Sequence, residues 1–155
     1  MRAMRWLLAF LAAVLAAEVL AAAAASQFVL HNLATLGVDV SFADRITTTA
    51  HDVVGMLPSY GPIIGAAFLV ALPIAGFIAS RTGMTRSLLF TIAGGVAILA
   101  ALLIMRKVFE ITPIAAARSA TGLATQVLAG AIAGYLFARL SAPAANKGDA
   151  SGPCG

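Results

Sequence analysis

The sequence predicts an all-α polytopic membrane protein with four transmembrane helices and an interfacial amphipathic helix between the first two. Three observations carry that expectation. Of 155 residues, 61% are hydrophobic and 10% charged, whereas soluble domains carry about 25% charged residues. The apolar residues fall in runs of about 20, enough to cross about 30 Å of hydrocarbon. Alternating segments of about ten residues, the mark of an outer-membrane barrel, are absent. One transmembrane domain is expected over residues 1–140, with a tail at 141–155 rich in Pro, Gly and Ser that reads as disordered.

The first span covers about residues 6–30. Arg2 and Arg5 precede an apolar run from Trp6 in which Glu18 is the only charge. The helical pattern extends towards Leu36, where Gly37 is a natural stop. A helix from Trp6 to Leu36 would be about 45 Å long, overshooting the hydrocarbon and placing His31 in the far interface. The same stretch also reads as a signal peptide. MRAMR resembles an n-region, Trp6–Ala17 an h-region, and the alanines before Ser26 offer cleavage sites. Phe28, Val29, Leu30, Leu33 and Leu36 continue the apolar pattern past that point, which a retained helix needs and a signal peptide does not. Retention is the expectation. The alternative is removal of residues 1–25 and an outside N-terminus.

Residues 42–55 show helical spacing with two sides. Phe42, Ile46, Val53 and Val54 lie on one, and Asp44, Arg45, His51 and Asp52 on the other, with Ser41 placed to cap. An amphipathic helix on the outer membrane face is expected, serving as a lid or as a docking surface or ligand gate using His51 and Asp52. The second span is 61–80, with Pro62 in a first turn and Pro73 producing a kink. A tight polar turn from Arg81 to Arg86 leads to the third span, 87–105, which ends at Arg106 and Lys107, where cations suit a helix C-terminus. Thr112 and Pro113 read as a cap and a first-position proline, and the fourth span follows over about residues 114–140.

Loop charges set the expected orientation. With the N-terminus inside, Arg2, Arg5, Arg81, Arg86, Arg139 and Lys147 lie on the inner side, opposite Arg45, Arg106, Lys107 and Arg118. Both termini are therefore expected in the cytoplasm. The Ala-rich, Arg-over-Lys composition fits a bacterial inner membrane.

Little in the sequence points to catalysis. The only cysteine is Cys154, so an intramolecular disulfide and a CxxC redox motif are both excluded. The two histidines, His31 and His51, have no tight ligand spacing beyond His51-Asp52, so neither a haem nor a metal site is expected. Ser59 is near His51 and Asp52 in sequence, but no nucleophile elbow is present. No nucleic-acid motif accompanies the net charge of +4. No cofactor is expected, and an enzyme is the least supported class.

Small residues carry more information. Arg118, Gly122, Gln126, Gly130, Gly134 and Ala138 recur every four residues, and Gly130–Gly134 is a GxxxG. Gly61 and Gly65 repeat the spacing in the second span, and Gly94 and Gly95 lie in the third. Such residues let helix backbones approach closely, within one bundle or against another subunit. Glu18 falls about 18 Å along the first span, near the bilayer middle, where a lipid-facing carboxylate costs about 2.5–3.5 kcal/mol. It should face the bundle, with Gln126 or Arg118 as partner. Two functions follow as expectations. One is a non-enzymatic packing or assembly subunit of a membrane complex, or a homo-oligomer. The other is a small transporter or channel using Glu18, Arg118 and Gln126.

Overall fold

The structure, a computed structural model, describes residues 2–37, 39, 41–109 and 119–142. The described residues form four α-helices: α1 (Arg2–Thr35), α2 (Phe42–Thr82), α3 (Arg86–Phe109) and α4 (Ala120–Leu140). All four are long and apolar enough to cross a membrane. Each packs against its neighbours in sequence, and α4 closes the ring against α1. The result is an up-down-up-down bundle.

Local chemistry sets the helix ends. Ser41 caps α2, its hydroxyl accepting from the Asp44 backbone N–H while the Asp44 carboxylate accepts from the Ser41 N–H. Gly83 stops α2 at φ 63°, a left-handed conformation that side chains resist. Ser119 caps α4 by accepting from the Gly122 N–H. The described part of the fourth helix thus starts at Ala120. The Thr112-Pro113 cap, residues 114–118 and the tail from 143 onward lie outside the described residues.

One expectation is corrected. Residues 42–55 are not a separate helix; they are the first part of α2, which runs unbroken for 41 residues through Pro58, Pro62 and Pro73. Each proline removes one intrahelical hydrogen bond. The side of the segment carrying Arg45, Thr49 and Asp52 finds partners on α1, which holds it upright. Gln27 donates to Thr49 and accepts from Arg45, and Ser26 donates to Asp52. Phe42, Ile46 and Val54 face outward.

The side of α1 that faces the interior is small, whereas the bundle's exterior carries many large apolar side chains. Ala9, Ala13, Ala17, Ala21 and Ala25 form a buried stripe on α1, while Leu11, Val70, Val96 and Ile132 are exposed. A surface of this kind suits hydrocarbon and would be an aggregation liability in water. At one end, Arg81, Arg86 and Arg139 each stack on an aromatic ring one turn inward, respectively Phe77, Phe90 and Tyr135. Arg5 donates to the Ala142 carbonyl at the same end, and Arg86 to Ser141. Arginines anchored on rings at a common level match a membrane interface. We call this the arginine end. The opposite end, where α1 turns into α2, is the hairpin end.

The closest approach is between α3 and α4. A Cβ on Gly94 would overlap the Gly130 carbonyl oxygen, and one on Gly134 would overlap that of Phe90. Gly95 faces Val127. The GxxxG face is therefore consumed inside the bundle. Gly61 and Gly65 differ: nothing lies within 4 Å of an added Cβ on Gly65, and Gly61 would meet only Leu57 of its own helix. Their spacing does not serve close packing.

Candidate functional site

Glu18 lies about 24 Å from the start of α1, near its midpoint. Ala22 and Ser26 follow it at one-turn intervals on the same side, and all three are buried. The facing side of α2 carries Tyr60, Met56 and Asp52 at the same intervals. Because the helices are antiparallel, equal spacing pairs the outer members with each other. Ser26 Oγ lies 2.7 Å from Asp52 Oδ2 and 2.9 Å from the Ala22 carbonyl, so its single proton has two acceptors. The same spacing puts Tyr60 at the level of Glu18. From the third side, α4 supplies Gln126, whose Nε2 donates to the Ala21 carbonyl at 3.0 Å.

These groups are deeply buried yet incompletely bonded. Glu18 and Gln126 are 0% exposed and Tyr60 is 5%. Among the described residues, both Glu18 carboxylate oxygens, the Tyr60 hydroxyl and Gln126 Oε1 have no hydrogen-bond partner. Leaving a buried polar group open costs about 1–3 kcal/mol, and more for a charge. All four atoms can accept a hydrogen bond or face a cation. The arrangement can therefore hold a proton on the carboxyl or offer oxygen atoms to a small positive charge.

The core differs on the two sides of Glu18. Towards the arginine end, Ala17, Ala13 and Ala9 face Ile64, Phe68 and Leu72, all nearly inaccessible. Below them, Trp6 stacks on Phe10 at 5.4 Å and meets Phe137 edge-on at 5.8 Å, and Phe137 contacts Phe90. Towards the hairpin end, polar residues line the α1–α2 seam as far as Gln27, Arg45 and Thr49.

The structure brings together two of the three residues expected in the polar contact. Gln126 reaches α1 at Ala21, within one turn of Glu18, without a hydrogen bond to the Glu18 carboxylate. Arg118 lies outside the described residues. His31 and His51 are exposed, and His51 points away from the seam that Asp52 enters. No group of three His, Cys, Asp or Glu side chains suited to a metal occurs among the described residues. Tyr60 and Ser26 were not singled out from the sequence. Their signal was the eight-residue spacing shared by Glu18–Ser26 and Asp52–Tyr60.

A separate feature lies on the flank. A wholly apolar groove of about 770 Å³ runs between α2 and α3, with Ala67, Ala71, Ala93 and Ala97 among its lining.

No family model matches the chain, and comparison with curated proteins and with solved structures finds no match.

Proposed function

We propose that this chain is a small integral membrane protein that moves or couples to a positive charge at Glu18. Of the two expected functions, the transporter or channel reading is the better supported. One observation carries it: a fully buried carboxylate, midway along a spanning helix, with both oxygens unpartnered and two further open polar atoms nearby. A purely structural clamp would satisfy its own hydrogen bonds, because a half-satisfied network is less stable than an apolar core. The positive-inside rule assigns the arginine end to the cytoplasm, in keeping with a bacterial inner membrane. Retention of residues 1–25 is supported by the packing of Ala9, Ala13, Ala17 and Ala21 in the core.

The test is charge movement in proteoliposomes under an imposed membrane potential, read by an internal pH dye and a sodium dye. Wild type should pass charge. Glu18→Gln should abolish the movement while keeping wild-type thermal stability in detergent. Equal flux in both proteins, or no flux in wild type, would sink the reading.

A second reading, an assembly subunit or homo-oligomer, is favoured by the α2–α3 groove, whose alanine-lined wall suits a partner helix. Purification in mild detergent checks it. Stoichiometric retention of another membrane protein, or a self-oligomer, supports it, and a bare monomer removes it.

A further inference from the structure

The oxygen atoms around Glu18 limit what charge it can hold. The site has one carboxylate, one amide oxygen and one phenol oxygen left open. One negative charge in a low-dielectric interior balances one positive charge, and a second would remain uncompensated. Divalent calcium takes about six to eight oxygen ligands, usually with several carboxylates, and magnesium keeps its waters. The open atoms are hard oxygens with no nitrogen or sulfur, which excludes soft transition metals. A proton or an alkali cation fits the set.

The surroundings also define a direction. From Glu18 towards the arginine end, the seam is closed by Ala17, Ile64, Phe68 and the Trp6–Phe137 contact. From Glu18 towards the hairpin end, Ser26 and half-buried Asp52 lie about 12 Å away, two turns along α1. Ala22 and Met56 lie between the two polar levels on the facing sides, with buried Ala21 and Ala25 beside them. Asp52 places a carboxylate at the mouth, where a negative group concentrates cations. Among the described residues no other charged group lies between Glu18 and Asp52, although Arg45, Arg106 and Lys107 place cations at the same end as Asp52; on α1 the rest are Arg5 at the arginine end and His31 at the hairpin end. On α2 they are Tyr60 at the site, Asp44, Arg45 and His51 at the hairpin end, and Arg81 at the other. Charges on α3 are confined to its ends, at Arg86, Arg106 and Lys107, and on α4 to Arg139 at the arginine end, with Tyr135 exposed beside it.

We propose that the Glu18 site takes a single positive charge, a proton or an alkali cation, loaded from the hairpin end past Asp52 and Ser26. The proposal rests on the reading of Glu18 as an exchanging site. Ser26 has two acceptors for one proton, so it can release Asp52 without losing its own bond. Gln126, held by Ala21, keeps its Oε1 available to the incoming charge.

The experiment uses the full chain in membrane vesicles of both orientations. The side carrying the hairpin is fixed by impermeant-maleimide labelling of Asp39→Cys in a Cys154→Ser background. Dicyclohexylcarbodiimide then probes Glu18: the protonated carboxyl adds across a C=N bond and rearranges to an N-acylurea, read by tandem mass spectrometry. Labelling should rise as pH falls on the hairpin side and ignore pH on the arginine side. Protection by sodium, lithium or potassium on the hairpin side identifies an alkali cation; without protection the ligand is the proton. Asp52→Asn and Ser26→Ala should each slow labelling from the hairpin side, Asp52→Asn by about tenfold or more. Detergent melting of both variants separates a lost path from a lost fold. Labelling that tracks pH on the arginine side, or that neither variant slows, overturns the loading route while leaving the site intact. No labelling of Glu18 at any pH, together with flux indifferent to Glu18→Gln, overturns the site and the route together.

Discussion

Along α3 and α4, Gly94, Gly130 and Gly134 let two backbones touch; along α1 and α2, side chains do the reaching. At its glycines the α3–α4 seam is closed by backbone, and dispersion contacts hold it, while Gln126 on the same stripe of α4 turns its amide to α1. The α1–α2 seam joins through Ser26–Asp52, Gln27–Thr49 and Arg45–Gln27, and leaves Glu18 and Tyr60 open at its deep end. The first seam has no room for change and no chemistry. The second has chemistry, and stability is forgone where polar atoms stay unbonded. One bundle can therefore keep a rigid wall and a responsive wall side by side.

The largest effect should come from the rigid wall. Gly134→Ala forces a Cβ onto the Phe90 carbonyl, with the Gly94 Cα only 3.2 Å away. Backbone cannot yield as a side-chain tip does, so we expect a loss of about 3 kcal/mol, at the upper end for overpacking. Thermal unfolding in detergent measures it, and wild-type stability would mean that α3 and α4 are not in contact there.

Glu18→Leu comes next and should act in the opposite direction. It replaces an unbonded buried acid with an apolar side chain of similar size and breaks no hydrogen bond. Stability should stay level or rise by about 1–3 kcal/mol, with charge movement lost. A fall in melting temperature would show that Glu18 has a partner and is a clamp.

Ser26→Ala removes one bond to a half-buried carboxylate. The expected loss is about 1.5 kcal/mol, the lower end for hydrogen bonds to charged groups. Faster protease cleavage after Arg45 would accompany it, because the start of α2 loses one of its ties to α1. Unchanged melting and cleavage would mean that the seam is held elsewhere.

Gly65→Ala should be the mildest. No atom opposes the new methyl group, and alanine gains about 0.5–1 kcal/mol over glycine inside a helix. A clear destabilisation would reveal close packing at Gly65 that the bundle itself does not supply, as an oligomer would. That outcome would favour the assembly reading.

Part of this contrast is legible in the chain itself. Gly130–Gly134 reads as a close-packing pair because nothing at that spacing keeps two helices apart, and the structure uses it so. Gly61–Gly65 has the same spacing and no such role. The spacing states what an approach would permit, and it does not state whether a helix is there to approach. Glu18 and Gln126 stand out as polar residues deep within apolar spans, and both are fully buried. Tyr60 and Ser26 were harder to see. Tyr60 falls just before the apolar run it belongs to, and Ser26 falls where a cleavage site was also readable.

The sequence by itself determined that the chain is all-helical, that four segments are long and apolar enough to cross a membrane, and that Glu18 needs a place away from lipid. Those properties follow from composition and from the cost of exposing polar groups to hydrocarbon, which act on each segment separately. Tertiary structure decided that residues 42–55 continue into α2, since their polar side is held by Gln27 and Ser26 on another helix. It also decided which glycine pair is used, and that Tyr60 and Asp52 meet the Glu18 side of α1. Each of those outcomes depends on the register between two helices, and register is a property of a pair that neither segment carries alone.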